Sequence, residues 1–351
     1  MSTEKKNKLN LVFVGLGWIG RHRMEALARE GMINRAVFVD TDTNCVKQAL
    51  EIIPDAQVAD NMEQIDLQGF DGVIIATPSA LHAQQSIQAL NSGCAVFCQK
   101  PLARNYRECC EVVETARRND RLLGVDFSYR FLVATRMLKT LIDERDIGEV
   151  YAVNTVFHNA YGPDKPWFYD PVRSGGGCVI DLGVHLIDLA FWLNGFPSVE
   201  NVTSRLFCKG KPFSGQGVED YGSVQMDFSS GISLNMACSW NLSAGMDAQI
   251  EFTLFATEGT LSLVNVNGSF YDFRLERFRG TTREVLCAPP DPWGGRAAVD
   301  WAMRLVRGDG KFQDDAEQFC AVSKLLDRIY ENSFIPCKVQ MKRSGEYAKS
   351  A

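Results

Sequence analysis

The chain reads as an α/β protein in two parts, a doubly wound parallel sheet followed by an α+β part built on an open, mostly antiparallel sheet. Three observations predict this. Short, wholly apolar runs alternate with helical patterns over the first third, and a Gly-x-Gly-x-x-Gly turn joins the first run to the first helical pattern. Strict apolar–polar alternation then takes over after about Gly148. A length of 351 residues suits two domains rather than one core, drawn at 1–128 and 129–335 with 336–351 as a tail.

The elements follow in order. Leu9–Gly15 and Ala36–Asp40 read as strands, each feeding a helix, Arg21–Glu30 and Thr43–Ile53. Gly72–Ala76 and Ala95–Cys98 are further apolar runs beside helical stretches. Strands apolar on both faces belong to a parallel sheet covered by helices on both sides, and right-handed crossovers make it doubly wound. Beyond Gly148 the runs Tyr151–Phe157, Val224–Phe228, Ile232–Trp240 and Ile250–Ala256 alternate, with Ser229-Ser230-Gly231 as a hairpin turn between two of them. Such strands pack one face and leave the other more polar, so a homo-dimer or homo-tetramer through this sheet is expected. A last helix, about Asp315–Asn332, carries Phe319, Val322, Leu325, Leu326 and Ile329 at helical spacing, as a core helix able to pack back on the first domain.

Composition narrows the function classes. A hydrophobic share of 46% and a charged share of 23% are those of a globular protein. The net charge of −6 is spread along the chain, and no basic face offers a nucleic-acid surface. No run is expected to supply the ~18 apolar residues of a membrane helix. Met1–Asn10 is charged and polar, without the marks of a secretory signal, so a cytoplasmic location with no membrane partner is expected. The eleven cysteines are scattered with no C-x-x-C pair, which points to buried thiols rather than metal or disulfides.

Gly15-Leu16-Gly17-Trp18-Ile19-Gly20 directly follows a strand and opens a helix, the context a dinucleotide fingerprint requires. Gly15 permits the tight turn, Gly17 lets backbone approach a pyrophosphate, and Gly20 lets helix and strand close up. The helix N-terminus offers N–H groups and partial positive charge to the phosphates. Asp40 ends the second strand twenty residues beyond Gly20, where a carboxylate accepts hydrogen bonds from an adenosine ribose and repels a 2′-phosphate; Thr41 adjoins it. NAD is therefore favoured over NADP in a Rossmann domain, although Asp40 could instead cap the next helix.

Two further places carry chemistry. Thr77-Pro78-Ser79-Ala80-Leu81-His82 and Gln99-Lys100-Pro101 follow apolar strands, and ligands of such sheets lie beyond strand carboxyl ends. A lysine there can stabilise a developing alkoxide, or can simply be a solvated surface lysine. Gly175-Gly176-Gly177 precedes a largely apolar helix in which Asp181 and His185, four residues apart, share a face, with Asp188 three further on. Three glycines would let backbone approach a ligand closely. A buried acid and imidazole must be paired or used, and histidine titrates near neutrality, as proton transfer requires. A self-satisfied Asp–His pair is the alternative.

In order and spacing, G-L-G-W-I-G, T-P-S-A-L-H, Q-K-P and G-G-G-C-V-I-D-L-G-V-H-L-I-D resemble the Gfo/Idh/MocA family, named for glucose–fructose oxidoreductase, inositol 2-dehydrogenase and a rhizopine-catabolism protein. The resemblance runs from Leu11 to about Ser333. It implies an NAD(P)-dependent oxidoreductase acting on a secondary alcohol or ketone of a sugar, polyol or related compound. It places Thr77, Pro78 and His82 along the cofactor, and Lys100 between nicotinamide and substrate hydroxyl. Asp181 and His185 fall on the catalytic helix, with His158 and Asn159 at the substrate. The family usually has Glu before the lysine; Gln99 here can still hydrogen-bond ribose or backbone but carries no charge.

In that reading His185 takes the hydroxyl proton, Lys100 bonds the same oxygen, and Asp181 orients His185 or grips a neighbouring substrate hydroxyl. Asp126, Tyr129 and Arg130 follow a strand ending near the site, and Tyr161, Lys165, Trp167 and Arg173 occupy the loop before the glycines. These are the further candidate substrate contacts. The alternatives are a nucleotide-sugar ketoreductase, a glycosidase that retains NAD, and a non-enzymatic NAD-sensing regulator.

Overall fold

The computed structural model describes residues 8–333; the tail drawn at 336–351 lies outside them. Six strands form the first sheet: β1 (Leu9–Val14), β2 (Ile33–Val39), β3 (Gln57–Ala59), β4 (Gly72–Ile75), β5 (Ala95–Cys98) and β6 (Leu123–Val125). Their order is β3-β2-β1-β4-β5-β6 and every pairing is parallel. The helices between them are α1 (Trp18–Arg29), α2 (Thr43–Ile52), α3 (Ser79–Asn91) and α4 (Tyr106–Arg118). β1, β4 and β5 are buried almost throughout, which is why their sequences are apolar apart from Asn10.

After α5 (Val133–Asp143) comes β7 (Val150–Asn159), the middle strand of the second sheet. A short α6 (Pro171–Ser174) and then α7 (Val184–Leu193) separate it from β8 (Val199–Cys208) and β9 (Lys211–Pro212). The remaining strands are β10 (Tyr221–Phe228), β11 (Ser233–Ser239), β12 (Ala248–Ala256), β13 (Gly259–Asn265), β14 (Phe273–Arg279) and β15 (Thr282–Cys287). The sheet runs β15-β14-β13-β12-β7-β11-β10-β8-β9, antiparallel except for the parallel pair β7–β11. Alternation decides which face is covered. Val224, Met226 and Phe228 are buried on β10, whereas Ser223 and Gln225 are exposed.

Two helices follow, α8 (Arg296–Val306) and α9 (Glu317–Asn332). As expected, α9 carries buried Val322, Leu325, Leu326 and Ile329, and it packs against α4. The sequence reading did not foresee α8, which returns to the first sheet. Trp301 on α8 lies against Phe97, ring centroids 5.8 Å apart, over Gly72 and Gly124, where a Cβ would strike its indole. One apolar cluster joins α8 to β1 and to Phe38 and Ile74. The other runs from the opposite face of the first sheet through α7 into the second sheet, so the two sheets share a core. A correction concerns membranes: Pro171–Leu193 is long and apolar enough to span one, but 89% of its apolar 18-residue window is buried inside the protein.

Trp301→Ala should destabilise the chain by about 3–5 kcal/mol, the usual cost of emptying a large aromatic site. Urea unfolding measures it, and a change below about 1 kcal/mol would show that α8 is a dispensable addition.

Candidate active site

The glycine turn opens the cleft. Gly15 has φ +87° and lies so close to the Ala76 backbone that only glycine fits, and a Cβ on Gly20 would collide with the Gly15 carbonyl. Gly17 differs: a Cβ there would meet nothing within 4 Å, and no side chain caps α1. Free backbone N–H groups therefore face open space at a helix N-terminus, a fit for a dinucleotide pyrophosphate. Asp40 staples this turn, accepting from Leu16 N at 2.6 Å and from Asp42 N at 2.8 Å. The helix-capping role falls to Asp42, which accepts from Asn44 N at 2.8 Å.

The cleft beyond measures 1320 Å³ and is lined by Gly15, Gly17, Trp18, Ile19, Asp40, Thr41, Thr77, Pro78, His82, Gln99 and Lys100. Gly20 acts behind that wall, in the turn's packing. His82 is buried and links two parts of it, its ring nitrogens 2.7 Å from the Thr77 and Pro101 carbonyl oxygens. Asp126, at the end of β6, accepts from Arg23 Nε at 2.5 Å, from Ser128 Oγ and from the Gln99 amide. This gives Gln99 a reason. A glutamate in its place would face the Asp126 carboxylate, whereas the amide donates to it.

Lys100 crosses the cleft to the helix that carries Asp181 and His185. Its Nζ donates to both the backbone oxygen and Oδ1 of Asp181, 2.8 Å each. Asp181 sits in a π-helical turn, Val179–Gly183, and its Oδ2 also accepts from Trp240 Nε1 at 3.1 Å. The wider turn breaks the expected partnership, because residues four apart no longer stack as on an α-helix. Asp181 holds Lys100 rather than His185. The His185 imidazole packs on Tyr129 (centroids 4.9 Å apart) and lines the same cleft, with Nδ1 lacking any partner. Burial, then the nearby Lys100 and Arg23 charges, push its pKa well below the ordinary histidine value. The imidazole is therefore uncharged at neutral pH.

Other expected contacts are not all brought here. Tyr129, Asn159, Tyr161, Lys165, Trp167 and Arg173 line the cleft, and the Asn159 Oδ1 is buried without a partner. His158 does not join them. Phe157 and Asn159 point to the cleft side of β7, so alternation turns His158 to the other face, against Ser239 Oγ at 2.8 Å and Tyr221. Arg130 is also elsewhere, in a buried fork on Asp188 with Nε–Oδ2 at 2.8 Å and Nη2–Oδ1 at 2.5 Å. The three glycines are also needed by the protein's own packing, and Gly176 lines the cleft. A Cβ on Gly175, Gly176 or Gly177 would strike Arg104, the Tyr330 hydroxyl or the Glu219 carbonyl respectively.

Glu219 escaped the sequence reading. Its buried carboxylate accepts from Gly177 N (3.1 and 3.0 Å), Val179 N (2.9 Å) and the Tyr330 hydroxyl (2.8 Å), fixing the start of the catalytic helix. Its partners lie 40 to 111 residues away, so no local signal announced it. Arg23 had one weak signal, a charge beside the buried Gly20, Met24 and Leu27 positions of α1.

Comparison with known proteins now identifies the family. The oxidoreductase-family model with an NAD-binding Rossmann fold matches residues 9–127, and the Gfo/Idh/MocA C-terminal domain model matches residues 135–262. The chain belongs to the Gfo/Idh/MocA oxidoreductase family. It is 33% identical over 140 residues to the D-glucoside 3-dehydrogenase of Escherichia coli strain K12, covering 40% of each chain. It is 32% identical over 199 residues to the 1,5-anhydro-D-fructose reductase of Ensifer adhaerens, covering 56% of this chain and 57% of that one. The match thus spans less than two thirds of either relative. A levoglucosan dehydrogenase solved with NADH and levoglucosan superposes with a TM-score of 0.78 at 21% identity, covering 93% of this chain and 97% of that one, and shows the shared fold.

Gln99→Glu should set two carboxylates side by side and raise the pKa of the pair. Such groups hold protons more tightly folded than unfolded, so stability falls as pH rises. The melting temperature should drop more at pH 8 than at pH 5, by the equivalent of about 1–3 kcal/mol; an equal drop at both would contradict the pairing.

Proposed function

We propose that the chain is an NAD-dependent dehydrogenase or reductase acting on a secondary alcohol or ketone of a sugar, polyol or related compound. The observation that carries this reading is one cleft holding an open glycine turn, an aspartate-clamped ammonium and a histidine whose pKa is pushed well below the ordinary value. Gly15, Gly17 and the start of α1 would hold the pyrophosphate, with Asp40 at the adenosine ribose, which supports NAD over NADP. The bound nicotinamide supplies hydride acceptance and donation. His185 removes the hydroxyl proton in oxidation and returns it in reduction. Lys100 spends two N–H groups on Asp181 and keeps a third for the substrate oxygen, where it stabilises developing negative charge. Asp181 aims that ammonium.

Two finer parts of the reading stand beside this. The ten described cysteines are all free, which suits work in the reducing cytoplasm. The polar outward face of the second sheet, with Ser223, Gln225 and Asn235 exposed, is the surface we assign to a second copy.

Lys100→Met and His185→Ala should each lower turnover by about 10²-fold or more while NAD affinity, read by protein fluorescence, survives in His185→Ala. Turnover near the parent level in both would refute the assignment. The pH profile offers an independent check. Because burial lowers the His185 pKa, its basic form persists below pH 6.5, so the acid limb of kcat/KM should lie below that value. A limb above 6.5 would point to another base.

A further inference from the structure

A file of aromatic rings leads out of the site. His185 packs on Tyr129 at 4.9 Å between centroids, Tyr129 on Trp293 at 5.0 Å, and Trp293 on Tyr271 at 6.3 Å. Trp293 is fixed in turn, its Nε1 donating to the Tyr271 carbonyl at 2.8 Å. Next to Tyr271, Phe270 pairs with Tyr161 at 6.1 Å from the segment after β7. The inner members are buried, Tyr129 at 8% exposure and Trp293 at 5%, while Tyr271 and Tyr161 are 45% and 51% exposed. All five residues line the cleft that contains Lys100 and His185. Large exposed aromatics that continue a buried file at a cleft mouth mark a ligand surface rather than core.

The charges at this end say what kind of ligand. Lys100 is paired with Asp181 and Arg23 with Asp126. Of the cations in the loop that contributes Tyr161, Lys165 lies 3.6 Å from Asp164, and Arg173 sits on α6, which packs against α3. Lys100 and Arg23 are thus already held by carboxylates, whereas flat aromatic faces receive the C–H faces of a sugar or an aryl ring.

We propose that this file is a subsite for a second ring, so that the chain acts on uncharged glycosides whose aglycone is itself a ring, in preference to free or phosphorylated monosaccharides. The inference rests on the oxidoreductase reading of the Lys100–His185 site. The ring at that site loses hydride from its carbinol carbon to NAD⁺ and a proton to His185, giving ketone and NADH. The glycosidic bond stays intact, and the aglycone only binds.

The test is NADH formation by the full chain with NAD⁺ and a panel in gluco, galacto and manno configurations. The panel contains phenyl glycosides of both anomers, a disaccharide, methyl glycosides, free sugars and sugar 6-phosphates. Ring-bearing glycosides should exceed free sugars about tenfold in kcat/KM, mostly through KM, the scale of one added aromatic contact. Tyr271→Ala and Tyr161→Ala, confirmed folded by melting, should each lower the phenyl-to-methyl ratio by about the same factor. Equal rates on free sugars and phenyl glycosides, a preference for the phosphates, or an unchanged ratio in both variants would overturn the subsite while leaving the oxidoreductase reading intact. NAD binding with no NADH from any sugar would instead overturn that reading, and the subsite with it.

Discussion

The bonds from Lys100 Nζ to the backbone oxygen and Oδ1 of Asp181 join the carboxyl end of a first-sheet strand to a helix 81 residues later. Both side chains are largely buried, at 18% and 16% exposure, so the ammonium cannot readily trade Asp181 for water. Breaking such a pair by removing one partner leaves an uncompensated charge and costs about 3–5 kcal/mol. The geometry of the site descends from this clamp. It gives the lysine one orientation and brings the catalytic helix to the mouth of the nucleotide cleft. It also sets a positive charge near His185, which helps to keep that imidazole neutral. The carbonyl that accepts from the lysine lies in the π turn itself.

The protein surrounds that clamp with paired charges. Asp126 is shared by Arg23, Ser128 and Gln99, while Asp188 is gripped by Arg130. Neither pair leaves a free charge beside the reacting groups. In that balance Gln99 is the member that keeps the Asp126 cluster from carrying a second carboxylate. The uncharged residue before the lysine therefore belongs to a set with Asp126 and Arg23, and its meaning appears only when all three are seen together.

Local chemistry explains what was legible beforehand. β1, β4 and β5 are apolar on both faces, and Gly15, Gly17 and Gly20 do their work within six residues, so strand, turn and cofactor end could be read directly. The alternating cores of β10, β11 and β12 were equally plain. β3 has only three residues, and β15 lies largely exposed at a sheet edge, so neither carries a pattern. Site residues failed where sidedness or distant pairing decides. His158 was one position out of register with the cleft, and Arg130 was claimed by Asp188, 58 residues on. Tyr271 and Trp293 enter the site from a part of the chain where no motif marks them.

The run Gly175-Gly176-Gly177 shows how packing can require a residue whose sequence suggests a ligand. Three glycines before a helix suggest backbone laid bare for a ligand, and each also meets a protein group, with Gly177 pressed against Glu219. The buried carboxylate takes N–H groups at the opening of the catalytic helix, where orphan donors and the helix dipole favour an anion. Tyr330 on α9 completes its coordination. The helix that carries Asp181 and His185 is thus anchored at its start by an acid before β10 and a hydroxyl near the end of the described chain. Placement of the imidazole depends on the last helix as much as on the nucleotide fold, because α9 also packs on α4 of the first sheet. Lys100 arrives at Asp181 from that same sheet, so a shift of α9 would move both halves of the Lys100–Asp181 clamp without touching either side chain.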